Sequence, residues 1–225
     1  MDDLKDALSI FKKDLLQEWR SKAVTVATVF FASIVLMVLA FALGSNDTVL
    51  KIAAPGVLWV ALAFAGIISA AQSYQNELEE NALEQLLLYP IARSSIFLGK
   101  LLANWFYMSL LGFILVPVTS ILFKAPLGSN WWLILVVVLL GTLGFSIISS
   151  FYAALTANLR ARESLLPVLM FPIVIPILQA AVKASRELMT DNNPAIVFDW
   201  LQLLIGFDLI YFVVTLAVFH FIMEE

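Results

Sequence analysis

Residues Asn76 to Pro90 read NELEENALEQLLLYP and carry Glu77, Glu79, Glu80 and Glu84, four of the chain's seventeen acidic residues. Clustered carboxylates can hold a metal, move protons, or pair with basic groups on a partner. The first two uses need company that this chain lacks. It has no cysteine and a single histidine, His220, and it contains no H-E-x-x-H and no nucleophile with a nearby histidine. The spacing favours the third use. At about 100° per residue Glu77, Glu80 and Glu84 form one stripe, Leu78, Ala82 and Leu86 lie opposite, and Leu83 and Leu87 fall between. Glu, Leu, Ala and Gln favour helix, and Pro90 ends it. An anionic leaflet repels such acids, so something other than lipid is expected to meet them.

The elements around this segment are set by composition. Of 225 residues 62% are hydrophobic and 13% charged, and the mean hydropathy is +0.96. Those values describe a chain in a bilayer and exclude an ordinary soluble domain. We read an all-α integral membrane protein with a single transmembrane domain over 1–225. Six stretches approach the roughly 20 apolar residues needed to cross about 30 Å of hydrocarbon. They run from about 23–43, 52–71, 101–123, 131–157, 164–182 and 201–223. Nine Lys and Arg residues fall in the N-terminal segment and the even-numbered connections, against four (Lys51, Lys124, Lys183 and Arg186) on the other side. That excess predicts cytoplasmic N- and C-termini and puts Asn76 to Pro90 in the cytoplasm. The net charge of −4, with no basic block, argues against nucleic acid as a partner.

Within residues 1–22, Leu4, Leu8, Phe11, Leu15 and Trp19 recur at three- and four-residue spacing, with Lys5, Lys12 and Lys13 off the stripe. The pattern predicts an amphipathic helix at the membrane interface, its lysines toward anionic headgroups. Pro167, Pro172 and Pro176 predict a kinked fifth span. Gly141, Gly144, Ser146, Ser150 and Ala154 form a small-residue seam for close packing against another span or a second copy of the chain. Asp208, the clearest acid inside an apolar run, marks a candidate intramembrane polar site, since an acid facing lipid is costly. No metal site, catalytic residue or bound cofactor is expected, and His220 reads as an interfacial side chain.

The segment ENALEQLLLYP followed by RSSIFLGKLLANW resembles the signature loop of membrane subunits in the ABC-2 class of ABC transporters. More narrowly, KIAAPGVLWVALAFAG, LEQLLLYP, GKLLANW and LPVLMFPIVIPIL resemble CcmB, the permease family of the cytochrome c maturation haem-exporter complex. The likeness runs from about Lys51 to Ser185. It departs at Asn81, where the family often has a turn-former such as Gly, and at Asn104, where it often has His before the Trp.

The resemblance implies that 76–90 is a cytoplasmic coupling helix on which a separate ATP-binding subunit docks, through Glu79, Glu80, Leu83, Glu84, Leu86, Leu87 and Pro90. Arg93 and Lys100 then return the chain to the membrane surface. No G-x-x-x-x-G-K-[ST] occurs, so ATP belongs on the partner and this chain is expected to be a transporter subunit, not an enzyme. The implied setting is the bacterial inner membrane. The implied partners are two copies of the ATP-binding subunit, a second copy of this chain, haem-handling membrane subunits and a periplasmic haem chaperone, with haem as candidate substrate. An ABC-2 exporter of a lipid, glycan or drug is the alternative with the same loop.

Overall fold

The computed structural model describes residues 2–79, 93–156, 162–191 and 194–222, and these are helical apart from short connections. The helices are α1 (Asp2–Ser21), α2 (Ala23–Ala42), α3 (Asp47–Glu79), α4 (Arg93–Leu122), α5 (Trp131–Thr156), α6 (Arg162–Arg186) and α7 (Pro194–Ile222), with a π-helical turn, Glu187–Asp191, after α6. Six of them, α2 to α7, are long and apolar enough to cross a membrane. The protein is a multi-pass, all-helical membrane protein.

The spans are longer than hydropathy alone marks them, because polar residues at their ends continue the helix. The third helix starts at Asp47 rather than near Ile52, and α4 starts before Lys100. Short connections make α2 and α3, and α4 and α5, antiparallel, and the contact of Lys100 with Ser73 sets the start of α4 beside the end of α3. The start of α2, the end of α3, the start of α4 and the end of α5 therefore lie at one end of the bundle, which also carries α1. Lys124, with a positive φ of 52°, and its 2.6 Å contact with Asp47 lie at the other end.

The fourth span, α5, is the centre. It packs against α3, α4, α6 and α7, and Ile134, Val137 and Val138 are wholly buried. Its small residues are what permit this. A Cβ at Gly141 would run into the indole of Trp59 on α3, whose Nε1–H donates to Ser185 Oγ at 2.9 Å. The seam read from sequence is thus filled from within the chain, with Ser146 and Ser150 buried too. By contrast α2 and α7 show much of their apolar surface, including Phe30, Phe41, Leu209 and Val213, as helices at a lipid boundary do.

The helical pattern of α6 runs through Pro167, Pro172 and Pro176 without a break. Each proline removes one backbone donor. Tyr211 of α7 donates its hydroxyl to the carbonyl of Ile173 at 2.9 Å, next to the carbonyl that Pro176 leaves without its helical donor. The packing of α7 on α6 is therefore specific at the prolines.

A buried polar junction as the candidate functional site

The first helix meets the bundle through one face only. Ala7 and Ile10 are buried against α4, and Phe11 sets its ring edge-on to Phe106 with centroids 5.9 Å apart. Close approach is possible because position 99 is glycine: a Cβ there would lie 2.7 Å from the Ala7 carbonyl oxygen and 2.7 Å from Ile10 Cβ. Leu4, Leu8 and Trp19, from the stripe expected to enter the lipid interface, are exposed at 64%, 42% and 81% and sit beside the docked face, not on it. The helix thus has a protein-facing sector that the apolar stripe alone did not disclose.

One residue on, Lys100 corrects an expectation. It does not reach the surface but is 1% exposed, among the largest fully buried side chains. Its Nζ donates to the Ser73 carbonyl at 3.1 Å and to Ser73 Oγ at 3.2 Å, and lies 3.5 Å from Asp14 Oδ2. Asp14 also lies 3.1 Å from Lys13 Nζ. The physical reason is packing: Ile96, Phe97 and Leu101 in the same stretch of α4 are buried as Lys100 is, and a buried ammonium persists only when its protons find acceptors. Lys100 therefore ties α1, α3 and α4 together where α3 and α4 lead into residues 80–92.

A second polar link lies one turn deeper. Ser69 Oγ donates to Asn104 Oδ1 at 2.8 Å, and Asn104 Nδ2 donates to Ser149 Oγ at 3.0 Å, so one amide joins α3, α4 and α5. The departure noted at position 104 is thus a structural bridge. Replacing Asn104 by Leu should lower stability by about 1–3 kcal/mol, because both serine hydroxyls lose their amide partner. Thermal unfolding in detergent measures this, and a change within a few tenths would mean that the serines find other hydrogen-bond partners.

Glu18 extends the junction to α2. Its carboxylate accepts from the Thr25 N–H at 2.7 Å, from Thr25 Oγ1 at 2.5 Å and from the Val24 N–H at 3.3 Å, capping the first turn of α2 across a left-handed Lys22 (φ 54°). Farther in, Thr28 and Tyr107 share a hydroxyl hydrogen bond. A cavity of about 70 Å³ opens among Asp14, Gln17, Glu18, Ser69, Asn104 and Tyr107.

Of the docking residues expected from sequence, Glu79 closes α3, and Glu80, Leu83, Glu84, Leu86, Leu87 and Pro90 lie outside the described residues. Asp208 lies mid-way along α7 and is 5% exposed. Its carboxylate and the tip of Ile177 of α6 both occupy the space that a Cβ at Gly144 of α5 would fill. Among the described residues neither of its oxygens has a hydrogen-bond partner, so it is a core acid and not one reaching for the interface. His220 falls in the closing turns of α7, away from Asp208 along the helix.

Sequence reasoning singled out the acids of the loop and missed Asp14 and Lys100. The signal was present: Lys100 follows Gly99 in a run of Phe97, Leu98, Leu101 and Leu102, where a lysine with no acid in its own helix needs acceptors from another element.

Six apolar helices joined at one end by a buried polar junction define a multi-pass helical membrane protein, and no cluster of three or more His, Asp or Glu side chains that could hold a metal ion occurs among its described residues. The chain belongs to the CcmB family: the family model described as CcmB protein matches residues 5–223. It is 29% identical over 171 residues to heme exporter protein B of Haemophilus influenzae, covering 76% of this chain and 77% of that protein. The heme exporter protein B of Pseudomonas aeruginosa is 31% identical over 162 residues, 71% of this chain and 72% of the relative. That of Escherichia coli K12 is 29% identical over 192 residues, 83% and 86%.

Proposed function

We propose that this chain is the membrane subunit of an ATP-driven complex of cytochrome c maturation, coupling ATP hydrolysis on a separate subunit to haem export or to release of a haem-loaded chaperone. The observation that carries it is membership of the CcmB family over nearly the whole chain, including the loop motif and the Gly99–Lys100 pair behind it. The relatives' name, heme exporter protein B, supplies the haem.

In this reading the junction end of the bundle faces the cytoplasm of a bacterial inner membrane, and residues 76–90 are the surface on which the ATP-binding subunit bears. Two copies of that subunit need two membrane halves, so the chain works as a homodimer alongside haem-handling membrane subunits and a periplasmic haem chaperone. Leu83, Leu86 and Leu87 enter a groove of the ATP-binding subunit, and Glu79, Glu80 and Glu84 pair with its basic residues. Movement of the loop reaches the bundle through α3 and α4, which Lys100 holds to α1. The chain itself performs no hydrolysis.

The test is the double variant Glu84→Ala, Leu87→Ala in the intact complex. Loss of an apolar anchor and a charge partner should weaken docking by about tenfold or more, an interface cost near 1.4 kcal/mol. Co-purification of the ATP-binding subunit should fall and holocytochrome c formation should fail. Normal cytochrome maturation with full ATPase retention would overturn the docking assignment.

A further inference from the structure

Asp208 takes no part in the junction or in the docking proposed for the loop. It stands mid-way in the last apolar span, Ala195–Val218, and is 5% exposed. An ionised carboxylate in an apolar interior needs several donors on its two oxygens. Among the described residues neither oxygen receives one. Tyr211, one turn along the same helix, gives its hydroxyl to the Ile173 carbonyl instead. The flank toward α5 is occupied by protein: a Cβ built at Gly144 would overlap Asp208 Oδ1 and lie 2.6 Å from Ile177 Cδ1.

Countercharge is lacking as well among the described residues. The elements packed against α7 are α4, α5, α6 and the π-helical turn. The one titratable side chain of α5 is Tyr152, and α6 offers none between Glu163 and Lys183. Lys183 lies six residues beyond Ile177, and Glu187 and Asp191 of the π-helical turn lie farther on. On α4, Lys100 is held by Ser73 and Asp14, Tyr107 by Thr28, and Arg93 opens the helix. On α7 itself Asp199 and His220 are nine and twelve residues away, roughly 13 and 18 Å along a helix.

A bare charge in this place keeps its desolvation cost in full, whereas the protonated acid leaves a single hydroxyl unpaired. We infer that Asp208 is an intramembrane proton-binding site, held as the neutral carboxylic acid by the packing of α5, α6 and α7. The bound species is one proton on one carboxylate oxygen. Movement of α7 that brings water to position 208 releases it.

Infrared spectroscopy tells the two forms apart without needing a reagent to reach the site. The full chain is placed in nanodiscs at neutral pH, with carbon-13 in the side-chain carboxyl of its aspartates, and the spectrum of Asp208→Asn is subtracted. The substitution should remove the carbonyl stretch of an undissociated acid and leave the carboxylate bands as they were. Loss of carboxylate bands in its place would show an ionised Asp208 and overturn the site. Should the amide variant fail to fold, Asp208→Leu supplies the same subtraction. Asp199→Asn, at an exposed position of the same helix, should leave the acid band in place. Gly144→Ala puts a Cβ where the carboxyl now lies and should shift that band, since the acid must move. An acid band that survives Asp208→Asn, or one unmoved by Gly144→Ala, would overturn the assignment to this packed site.

Discussion

Lys100→Ala should lower the stability of the bundle by about 3–5 kcal/mol, the range seen when one member of a buried pair is removed. The loss has two parts. The ammonium leaves behind the Ser73 carbonyl and hydroxyl at 3.1 and 3.2 Å and the Asp14 carboxylate at 3.5 Å, which has little exposure of its own. The long methylene stem, wholly buried, also leaves a space behind. Unfolding in mixed micelles, followed by tryptophan fluorescence, measures the first number. The pair Lys100→Met, Asp14→Leu separates the parts, since it restores volume and removes the unpaired acid; most of the stability should return. A Lys100→Ala loss below about 1 kcal/mol would mean that water reaches the site and that the pair behaves as a surface one.

Stability and transmission come apart in that double variant. If the junction merely fills space, the complex bearing Lys100→Met and Asp14→Leu keeps its coupling of ATP hydrolysis to cytochrome maturation. If the junction carries motion from residues 80–92 to α1, the fold survives and coupling falls.

Gly99→Leu should detach α1 from α4. Even a single Cβ at this position meets the Ala7 backbone oxygen at 2.7 Å, and a backbone atom cannot swing aside as a side-chain end can. Overpacking of this kind costs typically 1–3 kcal/mol, and here it also pulls Asp14 away from Lys100, so the two substitutions should combine by less than their sum. The absence of cysteine makes the displacement easy to read. Ile10→Cys, at a position 5% exposed, should resist a water-soluble maleimide in the otherwise unsubstituted chain and react at least tenfold faster with Gly99→Leu present. Unchanged labelling would show that α1 tolerates a side chain at 99 and that its seating does not depend on this contact. By comparison Gly144→Ala should be milder, because the groups in its way, the Asp208 carboxylate and the tip of Ile177, are side-chain ends.

The number and order of the spans were legible in the sequence because length and hydrophobicity are local properties, and lipid makes them decisive. The helical nature of 2–21 was legible for the same reason, from periodicity. Its docked face was not: Ala7, Ile10 and Asp14 are a small residue, an apolar one and a charged one, and only the groove at Gly99 makes them a single surface. Likewise the small-residue seam of α5 promised a close neighbour without naming it, and the neighbours are Trp59, Ile177 and Asp208. The family likeness was carried by four segments together; three, KIAAPGVLWVALAFAG, GKLLANW and LPVLMFPIVIPIL, lie in α3, α4 and α6, and the fourth, LEQLLLYP, stands outside the described structure, so its docking role is what the Glu84 and Leu87 variant tests.

What the sequence by itself determined is therefore where the chain can cross a bilayer and that its first segment is helical: six long apolar helices behind a helix over Asp2–Ser21. Only the tertiary structure decided which polar groups are buried and with whom. Lys100 and Asp14 are 86 positions apart by number, and Ser73 lies between them in the chain, yet the three meet at one point. Periodicity reports the face a residue shares with its own helix. The partner across the gap is set by where another helix crosses, which depends on the shapes of many side chains at once.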